Sequence, residues 1–412
     1  MDVTSEEHIP MAEHDEFNFQ GLFSDRAPEA RTGSGAARRG KYDFAVAYPD
    51  PASLPLKDLA DGLQQALREE GRELAVYPHP EGYPPLREYV AEKLRREREI
   101  GVSPDEIVLA DGSSQPLHML IDALVNPGEV VLTEDFVYSG TLGILRRFRA
   151  DIRGVQCDGE GMLPDALESA IVAAKAEGKA VKMIYTIPTF QNPQGWTMTL
   201  ERREAMIRLA RKHSVPILED DCYVDLRYDG DPVPSIHSLD EAGLVMYVGS
   251  FSKIIAPGMR IGYLTAPAAV MDVVRPIKSG GGVNQFTALA VHRYATSGLQ
   301  DHIADINDIL RAKRDAMLAA LGENFGSAAS WDRPDGALYV WVKLREDADL
   351  TATHALALDA DVGYQPGVNF APDGVSGKNY ARLCYGYNTP EEIHEGIARL
   401  AEVFHKAGYL PG

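Results

Sequence analysis

The sequence predicts an α/β fold, in which helices flank a mostly parallel sheet and a smaller α+β domain follows. Short apolar runs, typical of buried strands, alternate with amphipathic helical patterns from about residue 75 to about residue 285. Beyond that point the alternation stops. A long helical stretch to about residue 321 is followed by two strand-like runs, LYVWVKL and ARLCYGY, and by a last amphipathic helix.

The predicted strands of the larger part are six short apolar runs: EIVLADG, EVVLTED, AVKMIYTIP, VPILEDD, LVMYVGS and RIGYLTA. The stretch after the first run predicts a helix, because apolar residues recur at i, i+3, i+4 and i+7 from Leu117 to Leu124. Ser113 and Ser114 are candidate caps, Pro116 suits a first turn, and the following NPG ends the pattern.

The pattern also predicts the domain organisation. Residues 1–45 are expected to form an amino-terminal arm, since EARTGSGAARRGK offers little to bury. A large domain is predicted over residues 46–300 and a small domain over residues 301–412, joined by part of the amino-terminal segment. Two packed domains are a reasonable expectation for 412 residues.

Composition narrows the class of protein. A hydrophobic fraction of 45% is ordinary for a soluble globular chain, and a net charge of −20 argues against nucleic acid or an anionic membrane as a partner. The acidic start does not resemble a signal peptide, and no apolar run approaches the roughly 18 residues of a membrane span. The three widely spaced cysteines suggest neither a disulfide framework nor a metal site, so we expect a cytoplasmic protein without a metal.

Chemically distinctive side chains follow most of the predicted strands, and in an open parallel sheet such ends meet at one edge. In chain order they are the turn Asp111-Gly112-Ser113-Ser114-Gln115, then Tyr138, Asn192, Asp220, Asp221, Cys222, Tyr223, Ser250, Ser252, Lys253 and Arg260. A small-residue turn that opens a helix binds phosphate, a lysine can bond an aldehyde, and a carboxylate can keep a ring nitrogen protonated. This combination matches the requirements of pyridoxal phosphate.

The same motifs, in this order, resemble the aminotransferase class I/II family of fold type I pyridoxal-phosphate enzymes. The resemblance is greatest to the aminoadipate-aminotransferase-like branch and to the aminotransferase-like domain of MocR regulators, although no helix-turn-helix pattern precedes the body here. It covers roughly residues 45–405 and rests on YPHPEGYPPLREYVAEKL, ADGSSQPLHML, PTFQNPQGWTMT, ILEDDCYVDLRYDGDPVPSI, YVGSFSKIIAPGMRIGYLTAP and ARLCYGYNTPEEIHEGI. The family resemblance implies a seven-stranded large-domain sheet and a homodimer with shared active sites.

The resemblance also implies the catalytic and ring-binding roles. Lys253 would form the internal aldimine with pyridoxal phosphate and then move the substrate proton. Asp220 would pair with the pyridine nitrogen, and Tyr223 and Asn192 would contact the ring 3-oxygen. Tyr138 would stack on the ring.

The remaining implied roles concern anions. The α-carboxylate of the substrate would be bound by Arg382 and Asn192. Tyr77 would cross to the phosphate of the other subunit. Within one subunit the phosphate would be held by Ser113, Ser114, Ser250, Ser252 and Arg260.

The implied activity is transfer of an amino group from an α-amino acid to a 2-oxo acid. An alternative is an enzyme of specialised metabolism that performs β- or γ-elimination, replacement, cyclisation or racemisation. This alternative is suggested by the pair Val46-Ala47, which stands where many relatives of the family carry a Gly-Gly pair over the substrate. A ligand-sensing regulator is a third possibility, disfavoured by the acidic charge and the missing DNA-binding domain.

Three features have no expected catalytic role. Asp221 is expected to be a turn residue or to lie behind the site, and Cys222 to be incidental despite its neighbours. The segment Gly280–Gly282 is either a flexible segment near the substrate entrance or a plain loop, because the GxxxxGK[ST] phosphate-loop pattern is absent.

Overall fold

The computed structural model describes residues 21–24, 39–278 and 281–411. The chain divides into two units, residues 1–34 and residues 35–412. In the first unit the description covers only residues 21–24, a short turn. Most of the predicted arm therefore lies outside the described residues, and the sheets and helices among the described residues belong to the second unit.

The helices of the second unit are distributed along its whole length. In chain order they are α1 Leu56–Glu70, α2 Pro84–Arg98, α3 Ser114–Leu124, α4 Ser139–Arg147, α5 Pro164–Ala176, α6 Leu200–His213, α7 Ile236–Leu239, α8 Ala268–Ile277, α9 Gln285–Ser297, α10 Leu299–Asn324, α11 His354–Asp359 and α12 Pro390–Lys406. None of the described helices is both long enough and apolar enough to cross a membrane.

The strands alternate with helices in the first two thirds of the chain. In chain order they are β1 Tyr42–Asp43, β2 Val108–Asp111, β3 Val130–Glu134, β4 Asp151–Val155, β5 Cys157–Asp158, β6 Gly161–Met162, β7 Val181–Thr186, β8 Ile217–Asp220, β9 Val245–Ser250, β10 Ile261–Thr265, β11 Ser330–Trp331, β12 Tyr339–Lys343, β13 Val362–Gly363, β14 Gln365–Pro366 and β15 Tyr380–Cys384. All six runs predicted as strands are strands.

The central sheet has seven strands in the order β2-β10-β9-β8-β7-β3-β4. All neighbouring pairs are parallel except the two made by β10, which runs antiparallel to both β2 and β9. The predicted mostly parallel, seven-stranded sheet is thus confirmed. The carboxyl ends of β2, β3, β7, β8 and β9 lie at one edge, where the amino end of β10 also lies.

Both faces of this sheet are covered, which explains the continuous apolar runs in its strands. Along β8, Leu218 packs into a core that contains α3 and the residues of α9, whereas Ile217 packs into a second core with α5 and α6. The same alternation occurs in β3, where Val131 belongs to the first core and Leu132 to the second. The sheet is therefore held between two helical layers.

The carboxyl-terminal third contains a separate antiparallel sheet in the order β11-β12-β15-β14. Helices α10 and α12 contact each other here, and β1, from the amino-terminal segment, pairs in parallel with β13. The predicted long helical stretch is two helices, because the chain breaks at Gly298 between α9 and α10. The division of the second unit at residue 300 stays a prediction.

Helix α3 begins and ends as the sequence predicts. It runs from Ser114 to Leu124, with Val125 between its last residue and the NPG turn, and its Leu117 is buried. Ser113 occupies the cap position, but its side chain makes no capping hydrogen bond within the described residues. The first N–H groups of this helix are therefore not satisfied by a capping side chain and can bind a ligand.

Candidate active site

A cavity of about 160 Å³ opens at the carboxyl edge of the central sheet. All the predicted site residues except Tyr77 line it, and Tyr77 is 98% exposed at the surface. The lining consists of Val46, Ala47, Ser113, Ser114, Tyr138, Ile187, Asn192, Asp220, Cys222, Tyr223, Ser250, Ser252, Lys253, Pro257, Arg260 and Arg382. The fold thus gathers residues from distant parts of the chain into one site.

Strand direction explains how these residues meet. Asp220 ends β8 and Ser250 ends β9, and the two strands are parallel neighbours. Arg260 precedes β10 directly, and β10 runs antiparallel to β9, so its amino end returns to the same edge. Arg382 comes from β15 of the other sheet. The cavity therefore lies where the two sheets face each other.

One end of the cavity is suited to a phosphate. Ser113 and Ser114 stand at the start of α3, and the hydroxyl oxygens of Ser250 and Ser252 are 3.0 Å apart. Arg260 donates from Nη2 to the Asp111 carbonyl oxygen at 2.8 Å. Helix amino termini, hydroxyls and guanidinium groups are the usual partners of phosphate oxygens.

The backbone allows Arg260 to lie close to this turn. Gly112 has φ +67°, and a Cβ placed there would lie 2.4 Å from the nearest guanidinium nitrogen of Arg260. Arg260 itself has φ +52°. Any larger residue at position 112 would have to displace the guanidinium, so glycine is required by both conformation and space.

Lys253 lines the cavity. Its Nζ donates to the carbonyl oxygen of Ala47 at 2.7 Å. Burial lowers the pKa of Lys253 to about 8, and the positive charges of Arg382 and Arg260 act in the same direction. About a tenth of an amine with this pKa is unprotonated at pH 7, far more than of an ordinary lysine, so Lys253 can act as a nucleophile or a base.

Asp220 is the carboxylate of the cavity, and both of its oxygens accept hydrogen bonds. Tyr185 donates from Oη to Oδ2 at 2.8 Å, and Cys222 donates from Sγ to Oδ1 at 2.8 Å. Burial raises the pKa of Asp220, while the hydrogen bonds from Cys222 and Tyr185 lower it. The half-buried Tyr138 ring lines the same cavity.

Arg382 and Asn192 are bound to each other on the side of the second sheet. Arg382 donates from Nη1 to Asn192 Oδ1 at 2.9 Å and from Nη2 to the Ala45 carbonyl oxygen at 2.7 Å. Asn192 donates from Nδ2 to Tyr223 Oη at 3.0 Å. The buried Nε of Arg382 has no hydrogen-bond partner among the described residues. A buried guanidinium with an unused donor is suited to a carboxylate ligand.

These groups fit pyridoxal phosphate, the cofactor expected from the sequence. They provide an amine for its aldehyde, a buried carboxylate for its ring nitrogen and the Ser113–Arg260 end for its phosphate. The Tyr223 phenol and the Asn192 amide are hydrogen-bonded to each other, and both can contact the ring 3-oxygen. Within the described residues, no group of three or more His, Cys, Asp or Glu side chains could hold a metal ion.

The residues without an expected role differ in position. Asp221 is buried and accepts a hydrogen bond from Tyr247, so it lies behind the cavity as expected. Cys222, expected to be incidental, lines the cavity and contacts Asp220. Gly280 lies outside the described residues, and a Cβ at Gly282 would lie 2.4 Å from the His79 carbonyl oxygen.

Two larger cavities, of about 300 and 310 Å³, lie side by side between the sheets. Both are lined by Gln194, Trp196 and Trp341, and neither contains any of the predicted site residues. The smaller cavity around Lys253 therefore holds the combination of groups that can perform chemistry.

Comparison with known proteins identifies the family of the chain. A sequence model of the family described as aminotransferase class I and II matches residues 45–400. The aromatic-amino-acid aminotransferase 1 of Thermococcus litoralis is 36% identical over 363 residues, which are 87% of this chain and 87% of that protein.

Solved structures show the same fold. A multiple substrate aminotransferase from Thermococcus profundus superposes with a TM-score of 0.88 at 31% identity, covering 95% of this chain and 99% of that one. An alpha-aminoadipate aminotransferase from Thermus thermophilus, complexed with N-(5'-phosphopyridoxyl)-L-leucine, gives a TM-score of 0.82 at 30% identity, with 88% and 92% covered. The chain belongs to the aminotransferase class I and II family, and it is an aminotransferase that depends on pyridoxal phosphate.

Proposed function

We propose that this aminotransferase takes its amino group from α-amino acids with uncharged, apolar or aromatic side chains, and that Lys253 is both its cofactor-bonding and its proton-transferring residue. The observation that carries the proposal is the cavity itself. It combines a lysine with a pKa of about 8, the buried carboxylate of Asp220 and the partly unpaired guanidinium of Arg382. The cavity sits at the strand ends of the central sheet.

Each end of the cofactor has matching residues in this proposal. The ring would lie against Tyr138, with Asp220 at its nitrogen, and Tyr223 with Asn192 at its 3-oxygen. The phosphate would be bound by Ser113, Ser114, Ser250, Ser252 and Arg260. When bound, pyridoxal phosphate supplies a carbonyl that takes up the amino group and a ring that withdraws electrons from the substrate Cα.

Lys253 moves the proton. Its Nζ is held by the Ala47 carbonyl oxygen, and its pKa of about 8 allows it to take a proton from Cα and to return it. A surface lysine, with a pKa more than two units higher, would be almost entirely protonated at neutral pH and unable to accept a proton. Burial in the cavity is therefore what makes Lys253 a base.

Arg382 orients the amino acid. A guanidinium offers a planar fork to a planar carboxylate, and Asn192 keeps that fork in place through its Oδ1. By fixing the carboxylate, Arg382 would determine which bond of the substrate Cα is broken. The carbonyl of Ala45, which now accepts from Nη2 at 2.7 Å, would share this donor with the substrate.

The preference for uncharged side chains follows from the charges of the lining. Its cations are Lys253, Arg260 and Arg382, and each already has an assigned partner in the cofactor or in the α-carboxylate. Val46, Ile187 and their neighbours offer apolar surface instead. The name of one relative, an aromatic-amino-acid aminotransferase, supports this preference, and so does the leucine adduct bound to a second relative, whereas the name of that second relative, an alpha-aminoadipate aminotransferase, denotes a substrate with a charged side chain.

The Val46-Ala47 difference affects this preference rather than the reaction. Lys253 is held by the backbone carbonyl of Ala47, so the side chains at these two positions leave the contact intact. They do fill space in the lining. The elimination, replacement, cyclisation and racemisation chemistries are not favoured, because the matching family is described as aminotransferases and the three relatives compared above are named aminotransferases.

We further propose a homodimer with shared active sites. Tyr77 is 98% exposed, and Leu56 and Val76 are exposed apolar residues in the same part of the chain. Large exposed apolar side chains of this kind are typical of interfaces between subunits.

A cytoplasmic location is proposed because Cys157, Cys222 and Cys384 are all free thiols.

Two measurements test the proposal. Borohydride reduction of the cofactor-bound protein, followed by peptide mapping, should place the pyridoxyl group on Lys253, and an adduct on another lysine would contradict the assignment. Saturation kinetics should give higher kcat/KM for leucine and phenylalanine than for aspartate and 2-aminoadipate, by at least about tenfold, the cost of an unpaired charge. Equal values would reject the side-chain preference while leaving the reaction intact.

A further inference from the structure

We infer that Tyr185 and Cys222 are positioning residues that together hold Asp220 ionised and correctly oriented towards the cofactor ring, and that Thr141 fixes Tyr185 in this role. The inference rests on the proposed function, since it concerns the carboxylate expected at the ring nitrogen. None of the three residues was expected to have a role from the sequence, and only Cys222 lines the cavity.

The contacts form a directed chain. Thr141, on α4, donates from Oγ1 to Tyr185 Oη at 2.9 Å. Because that contact supplies a hydrogen to the phenol oxygen, the phenol hydrogen is free for Asp220 Oδ2, 2.8 Å away. Cys222 donates from Sγ to the other oxygen, Oδ1, at 2.8 Å. Each oxygen of the Asp220 carboxylate therefore accepts a hydrogen bond from a different side chain.

The sheet register explains the geometry. Tyr185 of β7 pairs with Leu218 of β8 in a parallel ladder, so both side chains point to the same face. Asp220, two residues after Leu218, points to that face as well. Helix α4 covers this face, which brings Thr141 onto the phenol. Thr141, Tyr185 and Asp220 are buried, and Cys222 is half-buried.

The physical need for these donors is clear. A carboxylate removed from water tends to become protonated, and burial raises the pKa of Asp220 accordingly. A protonated Asp220 could not keep a ring nitrogen protonated. Donors that bind the charged form oppose this effect, each by about tenfold to a hundredfold in the ionisation equilibrium.

Both donors keep their protons. Burial raises the pKa of Cys222 and of Tyr185 well above their ordinary values, and the negative charge of Asp220 raises them further. Both side chains therefore remain neutral hydrogen-bond donors, and neither becomes an anion that would compete with Asp220 for the ring nitrogen. Each carboxylate oxygen has two lone pairs, so one remains for the N–H of the ring.

A matched pair of variants tests Tyr185. Tyr185→Phe removes a buried phenol that donates to Asp220, and Tyr247→Phe removes a buried phenol that donates to Asp221 at 2.9 Å. We expect Tyr185→Phe to raise the Kd of the cofactor-free protein for pyridoxal phosphate about tenfold. With ¹⁵N-labelled cofactor, its ring-nitrogen NMR signal should shift towards the unprotonated position, whereas Tyr247→Phe should leave both readouts unchanged.

A second pair tests Cys222. Cys222→Ala should shift the ring-nitrogen signal in the same direction, and Cys222→Ser should restore it, because a hydroxyl also donates. Cys157→Ala is the control, since Cys157 is equally half-buried but lies outside the cavity. Thr141→Val should produce a weaker form of the Tyr185→Phe effect.

The outcomes separate the two proposals. If the wild-type protein does not bind pyridoxal phosphate, the proposed function is rejected. If it binds with a protonated ring nitrogen and both Tyr185→Phe and Cys222→Ala, folded by circular dichroism, show an unchanged signal and Kd, the positioning role is overturned. An equal loss in Tyr185→Phe and Tyr247→Phe would also overturn it, because the effect would then be one of packing.

Discussion

Replacing Lys253 by methionine should stabilise the cofactor-free protein at neutral pH. Lys253→Met keeps the length of the side chain and removes its charge. The pKa of Lys253 in the folded protein is lowered to about 8 from the usual 10.5. Between these two values the unfolded chain binds more protons, so folding stability rises with pH through this window. The cost of the buried charge is fully present below pH 8.

The expected magnitude follows from that shift. At about 1.4 kcal/mol per pKa unit, the protonated amine costs about 3 kcal/mol of folding free energy. The variant also loses the hydrogen bond from Lys253 to the Ala47 carbonyl, which is worth about 1 kcal/mol. We therefore expect a net gain of about 2 kcal/mol at pH 7, falling to about zero at pH 10.

The assay is urea unfolding of cofactor-free wild type and variant at pH 7 and pH 10, followed by circular dichroism. Lys57→Met is the control, because Lys57 is an exposed lysine on α1 whose side chain is 85% accessible. Its effect on stability should be the same at both pH values. A Lys253→Met variant that is no more stable than wild type at pH 7, or whose gain persists at pH 10, would refute the reasoning.

Three further predictions concern the site. Arg382→Lys should lower kcat/KM for amino acids about tenfold to a hundredfold and leave the resting absorbance spectrum unchanged; unchanged kinetics would mean that the carboxylate is bound elsewhere. Gly112→Ala should weaken binding of pyridoxal phosphate in equilibrium dialysis, because its Cβ would lie 2.4 Å from Arg260; an unaltered Kd would count against a phosphate role for Arg260. Mixing inactive Lys253→Ala and Tyr77→Ala subunits should restore part of the activity, since one hybrid site is then intact, and a fully active monomer in light scattering would exclude shared sites.

The sequence predicted the central sheet well because buried parallel strands must be apolar on both sides. It missed β4, Asp151–Val155, whose sequence DIRGV contains two charged residues and a glycine. This strand pairs on one side only, with β3, and most of it is only partly buried, so the apolar signal is weak. The break at Gly298 was missed as well, since the apolar pattern continues across it.

The site was predictable to the extent that it lies at strand ends. Asp220 and Lys253 lie within a few residues of the ends of apolar runs, and the rule that parallel strands end at one edge brings them together. Tyr185 lies inside β7 and Thr141 inside α4, where an apolar neighbourhood suggests only packing. Their contact with Asp220 depends on the register of β7 against β8 and on the position of α4, which no local pattern specifies.

The cavity is lined by more cationic than anionic side chains, whereas the chain as a whole has a net negative charge. A chain of net charge −20 places Lys253, Arg260 and Arg382 around one small cavity, where the two arginines help to lower the pKa of the lysine. Backbone carbonyls of Ala45, Ala47 and Asp111 accept hydrogen bonds from these three cations. Carbonyl dipoles compensate a cation only in part, so an anion that enters the cavity gains from each of them. Asp220 is the carboxylate among the described lining residues, and two donors hold it. A ligand with anionic ends and one cationic ring atom matches this arrangement, whereas a simple dianion or a simple cation would meet at least one repulsive group.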